Sequence, residues 1–199
     1  MDTLSITERF DHLRAIVSSE RFLKMQVLAN EVPFFICPYA AEDAVAMQKL
    51  VQQLTRRLQQ DGVQVLTLDL YDISVEILQQ RGIWERILQI EATTPKEKFI
   101  ELLQNVLDPK EHLINTMAKK MAAVTYDVLF LTGVGEVYPY LQAHNVLSNL
   151  QRVAKDCPTL MFFPGTYRHT PALGASLKLF DRLEDHRYYR ATNIFDIEP

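Results

Sequence analysis

Histidines, cysteines, a paired-glycine turn and a basic run are the residues of this chain with chemical potential, and their spacing decides what chemistry is open to them. The five histidines, His12, His112, His144, His169 and His186, form no pair at metal-ligand spacing, and Cys37 and Cys157 stand beside none of them in sequence. No metal site is expected from that pattern. Glu136 and His144 could meet across a turn as base and acid, and Cys37 could meet a histidine in space. Each also has an ordinary role: Glu136 as a charge at a helix start, His144 as a helix residue, Cys37 as a small core side chain.

Phosphate chemistry has two places to be tested. The first is Phe34 to Asp43, after the first apolar run, which contains neither Gly nor Lys and carries acids at Glu42 and Asp43. A phosphate loop needs the opposite of both, so nucleotide hydrolysis is not expected there. The second is Gly133-Val-Gly135, which resembles the opening of a dinucleotide fingerprint but has Tyr138 where the third Gly would stand. The two glycines serve either to turn the chain off its strand or to form a ligand- or partner-facing loop. A third candidate is Gly165 to Arg190, where Arg168, Arg182, Arg187 and Arg190 are interleaved with tyrosines. Basic residues among aromatics can hold single-stranded nucleic acid, but Asp181, Glu184 and Asp185 in the same stretch favour a solvated mixed surface over a packed aromatic core.

Strands and helices must position these residues. Ser5 and Glu8 have capping-box spacing ahead of Phe10, Leu13, Ile16 and Val17, which predicts a first amphipathic helix. The segment 1–30 is expected to be helical, with its later part helix or irregular. Pro33 to Cys37 reads as the first strand, stopped by Pro38. Val45 to Leu58 reads as a helix closed by Gly62, and Val63 to Leu70 as the second strand. Asp72 is the expected cap of the next helix, which carries Val75 to Leu88 with Gly82 as a weak point. Thr94-Pro-Lys-Glu97 and Asp108-Pro-Lys-Glu111 predict two further helix starts, so residues 72–123 form a helical insertion between the second and third strands. Tyr126 to Thr132, the turn at Gly133 and Gly135, a helical pattern to Leu150, then Pro158 to Phe163 ended by Pro164-Gly165 spell a parallel crossover unit. Gly174 to Leu183 reads as a short helix or turns, and Tyr189 to Phe195 as a last strand. The class is α/β: one domain over 1–199, three-layered, with a mainly parallel sheet of about five strands, helices on both faces and no phosphate loop.

A length of 199 residues with 48% hydrophobic content suits one well-buried domain. The net charge of −4 argues against whole-surface affinity for nucleic acid or anionic membrane and favours protein partners. The N-terminal residues lack the basic start and apolar core of a signal peptide, no stretch reaches membrane-spanning length, and two distant thiols fit a reduced cytoplasm.

Four phrases, Asn30-Glu-Val-Pro-Phe-Phe-Ile36, Phe130-Leu-Thr-Gly-Val-Gly-Glu-Val-Tyr-Pro139, Ala143-His-Asn-Val-Leu147 and Met161-Phe-Phe-Pro-Gly165, together resemble the BrxB family, the small B component of BREX bacteriophage-resistance systems. The resemblance runs from about Asn30 to Phe195. It implies a cytoplasmic protein of phage defence that works beside a AAA-type ATPase, an alkaline-phosphatase-like protein and a DNA methyltransferase. It supplies no catalytic residues, and no enzymatic motif or cofactor is expected from the residues themselves. The expected role is a non-catalytic adaptor that does not bind DNA tightly by itself. Its docking loop would comprise Gly133, Gly135, Glu136, Tyr138 and Tyr140. The alternative is a ligand-sensing or nucleic-acid-contacting domain that uses the Gly133–Gly135 loop or the basic surface of Arg168, Arg182, Arg187 and Arg190.

Overall fold

The three most apolar strand segments of the chain are buried on both faces, and the sheet is built around them. The computed structural model describes residues 4–26, 32–170, 174–185 and 191–198. Five strands, β1 (Phe34–Tyr39), β2 (Val65–Asp69), β3 (Val128–Thr132), β4 (Thr159–Thr170) and β7 (Thr192–Asn193), lie in the order β2-β3-β4-β1-β7, all parallel. Two more, β5 (Gly174–Leu179) and β6 (Leu183–Asp185), extend the second half of β4 as an antiparallel hairpin.

Strand side chains alternate between two cores. Phe34, Ile36, Leu129, Leu131, Met161 and Phe163 point to one face. Helices α4 (Leu70–Gln80), α5 (Trp84–Glu91), α6 (Lys96–Val106), α7 (Ile114–Ala122) and α8 (Ala143–Leu150) cover that face through residues such as Ile73, Ile77, Met117 and Leu147. Phe35, Cys37, Val128, Phe130, Leu160 and Phe162 point to the other face, beneath α1 (Ile6–Val17), α2 (Glu20–Leu23) and α3 (Ala44–Gln60). Runs that are apolar at every position suit central strands, and β1, β3 and β4 hold those places. Edge strand β2 has Thr67 exposed.

Local signals explain several boundaries. The Ser5–Glu8 capping box is formed: Glu8 N donates to Ser5 Oγ at 3.3 Å, and Ser5 N donates to Glu8 Oε2 at 2.8 Å. Asp108 accepts from the amides of Lys110 and Glu111 with Pro109 following it, but the chain makes a wide π turn over Pro109–Leu113 before α7. No helix among the described residues is long and apolar enough to cross a membrane.

Other expectations are corrected. Thr94 does not cap α6; Pro95, in an extended conformation, is its N-cap and no side chain bonds there. Asp69, rather than Asp72, caps α4, so β2 ends and the helix begins at Leu70 with no loop between. The helix expected through Leu88 is two, since Gly82 (φ +67°) breaks it. β1 runs through Pro38 to Tyr39, because β7 pairs only at Phe35 and Ile36 and leaves no ladder partner that would need the Pro38 amide. The Pro38 carbonyl accepts from Arg9 Nη1 at 2.9 Å.

Pro164-Gly165 bends β4 instead of ending it. Gly165 has φ +148°, and a Cβ there would lie 2.1 Å from the Lys178 carbonyl oxygen, so the close approach of β5 requires glycine. Gly174 to Leu183 is hairpin, not helix, because Leu177 and Leu179 recur at period two and are both buried. Among the described residues of the C-terminal end, Thr192–Asn193 is strand and Ile194–Asp196 is a 3-10 turn; Tyr189 lies outside the described residues.

Candidate functional site

In an open parallel sheet the strands' carboxyl ends form the edge where binding crevices arise, and this sheet has one there. Same-face strand residues turn polar on reaching that edge. Val65 is followed by Thr67 and Asp69, Phe130 by Thr132, and Cys37 by Tyr39. Tyr39, Thr67, Asp69 and Thr132, with Phe162, Gly133 and Glu136, face the first half of α3 across a crevice of about 300 Å³. Ala44, Val45, Met47 and Val51 supply its apolar wall, and Gln48 and Gln52 its amides.

Asp69 organises the crevice. One carboxylate oxygen accepts from the amides of Tyr71 (2.9 Å) and Asp72 (3.1 Å), and the other from Thr132 Oγ1 (2.7 Å). The α4 N-terminus, the end of β2 and the end of β3 are thereby joined through one side chain. Gly133 turns the chain immediately above it with φ +76°, and a Cβ there would stand 2.6 Å from Asp69 Oδ1. The first glycine of the pair is therefore required by both backbone conformation and space.

The loop beyond is pinned from beneath. Val134, Val137 and Leu141 are buried, and Gly135 packs so closely against the rings of Phe180 and Pro164 that a Cβ would be 3.1 Å from each. Glu136 is exposed on the crevice side. Tyr138 and Tyr140 are half-buried against the helical core; Tyr140 Oη donates to the Glu136 carbonyl at 3.2 Å. Tyr138 lines a second hollow of about 460 Å³ with Phe163, Leu177, Leu179 and Leu183. Gly133 and Glu136 thus share the crevice, whereas Tyr138 faces the β5–β6 hairpin.

Electrostatics at the crevice are negative. Burial, then the neighbouring carboxylate of Glu136, raises the Tyr39 phenol well above its ordinary range. Tyr140 is pushed up to about 12 by burial, then by Tyr71 and Glu136. Cys37 is fully buried, which pushes its thiol up to about 12, so it is not a thiolate near neutral pH. Cys157, half-buried, is also raised by burial, and its contact with Tyr126 opposes that rise. His144 is buried on α8 while Glu136 is exposed at the crevice. Among the described residues no group of three or more His, Cys, Asp or Glu is placed to hold a metal ion.

Two of the four basic candidates fall among the described residues. Arg168 is exposed on the antiparallel half of β4 and Arg182 is exposed in the β5–β6 turn, while Arg187 and Arg190 lie outside the described residues. Acids accompany them: Lys178 pairs with Glu184 at 3.7 Å, and Thr166 donates to Asp181.

Sequence reasoning missed Tyr39, Asp69 and Thr132. The available signal was an acid at the carboxyl end of a strand directly before a helix, Leu68-Asp-Leu-Tyr-Asp72, where either aspartate satisfies the capping pattern.

Comparison with known proteins bears on the same region. The family profile described as BREX protein BrxB matches residues 66–194. A BREX protein BrxB of Bacillus cereus (strain H3081.97) is 29% identical over 96% of this chain and 98% of its own length. Another, from Escherichia coli O9:H4 (strain HS), is 31% identical over 92% of this chain and 88% of its own. No solved structure matches the chain.

Proposed function

The chain belongs to the BrxB family of BREX proteins, and from that premise we propose that it is a non-catalytic adaptor of a cytoplasmic antiviral defence complex. It joins larger components, an AAA-type ATPase and an alkaline-phosphatase-like protein, through the loop from Gly133 to Tyr140. The observation that carries this reading is the construction of that loop. Val134, Val137 and Leu141 anchor it in the core while Glu136 is left exposed beside an open crevice at the carboxyl edge. A surface held rigid before binding loses little entropy on association. The buried thiol of Cys37 and the acids that follow β1 agree with a role that needs neither a nucleophile nor a phosphate cradle. DNA contact falls mainly to the partners, since Asp181 and Glu184 accompany Arg182 in the hairpin.

The test is assembly from purified components with Glu136→Ala/Tyr138→Ala. Truncating an anchor weakens binding by about 2 kcal/mol, roughly thirtyfold in affinity. The expected result is that loss with the protein still folded at assay temperature. A folded variant that assembles normally refutes loop docking, and so does one whose melting temperature collapses, because the tyrosine is then only a fastener of the fold.

A further inference from the structure

The crevice beside the docking loop has two unlike sides. Along α3 it is apolar, and Val45 at its lip is 67% exposed. At the sheet edge it is anionic, with the carboxylates of Asp69 and Glu136, and among the described residues no Lys, Arg or His lines it. Among the described residues neither carboxylate forms an ion pair. Asp69 is held fixed by its three hydrogen bonds, whereas Glu136 is exposed and free to adjust. Glu42 and Asp43, exposed immediately before α3, add charge of the same sign.

We infer that this crevice receives an arginine side chain from the protein partner that docks on the Gly133 loop. The inference rests on the docking reading and names the chemistry of the occupant. An arginine matches both sides at once: its aliphatic stem lies along Val45, Met47 and Val51, and its guanidinium reaches Glu136 and the edge of Asp69. A fully apolar side chain would leave the carboxylates desolvated without a counter-charge, and an acidic one would be repelled. A volume of about 300 Å³ holds one side chain and not a helix. The raised Tyr39 phenol agrees with a negative potential at the crevice, although burial is its larger cause.

The probe is an acetylated, amidated peptide, Gly-Ala-Arg-Ala-Gly, titrated into the full ¹⁵N-labelled chain, with a norleucine peptide as the uncharged counterpart. Shifts are expected at residues 44–52 and 132–137 with the arginine peptide alone, and Glu136→Gln should weaken binding about threefold or more. Equal shifts from the norleucine peptide, shifts scattered over the surface, or an unchanged affinity in Glu136→Gln would each overturn the assignment. Assembly with the ATPase and the phosphatase-like protein then separates this inference from its premise. If Glu136→Ala/Tyr138→Ala breaks assembly but Glu136→Gln and salt raised to about 0.5 M leave it intact, the arginine is refuted and loop docking stands. Should the double change also leave assembly intact, the docking reading falls and the arginine with it.

Discussion

Replacing Gly133 by Ala would drive a methyl group into the carboxylate of Asp69, and the consequences can be followed atom by atom. The added Cβ would stand 2.6 Å from Oδ1 and 2.9 Å from Oδ2, inside any normal contact. The φ of +76° adds strain of about 1 kcal/mol for a residue with a side chain. Asp69 must then swing away, which uncaps α4 at the amides of Tyr71 and Asp72, a loss of about 1 kcal/mol. It also releases Thr132 Oγ1, a further loss of about 1 kcal/mol. The total is about 3 kcal/mol, which for a chain of this size lowers Tm by about 6–12 °C. Asp69→Ala alone should cost about 2 kcal/mol from the same bonds, but it removes the obstacle. In that background Gly133→Ala adds only the backbone strain, so the double variant should be about 2 kcal/mol more stable than the sum of the singles implies. Urea unfolding of the four proteins measures this cycle. Additivity within about 0.5 kcal/mol would refute the claim that Gly133 is required by the Asp69 clasp.

Gly165→Ala should destabilise by at least about 4 kcal/mol, since its methyl meets the Lys178 backbone and not a movable side chain. Gly62→Ala, facing open space at φ +90°, should cost only about 1 kcal/mol; equal values in urea unfolding would show that the β4 bend is not held by that approach. Cys37 gives a pH prediction. Its folded pKa, raised by burial to about 12 from an ordinary 9.0, means that the unfolded chain releases a proton that the folded one keeps. Its stabilising contribution is therefore complete below pH 9 and declines as pH rises toward the folded pKa, by about 1.4 kcal/mol per pH unit. Between pH about 9 and about 10.5 the natural protein should lose about 2 kcal/mol more than Cys37→Ala; equal losses would show that the thiol is not held protonated.

Local pattern and local chemistry were legible in the amino-acid order. The apolar runs at Phe34, Val128 and Leu160 announced strands buried on both faces, and the Ser5–Glu8 box and Asp108 announced helix starts, because hydrophobic period and capping each involve only a few neighbouring residues. The family resemblance was legible for a similar reason, carried by contiguous phrases around Phe130 to Pro139. Tertiary structure alone decided which competing local option won. Asp69 took the cap that Asp72 could also have filled, because the end of β2 lies beside Thr132 of a strand 63 residues away. Pro164-Gly165 became a bend, because β5 comes back to pair across it; without that partner the dipeptide reads as a stop. β1 and β2, consecutive in the chain, ended three places apart, because the more apolar β3 and β4 filled the interior between them. Of the crevice only Gly133 and Glu136 had a contiguous signature: Tyr39, Asp69, Thr132 and Phe162 come from four strands, and parallel register brings their shared face to one edge.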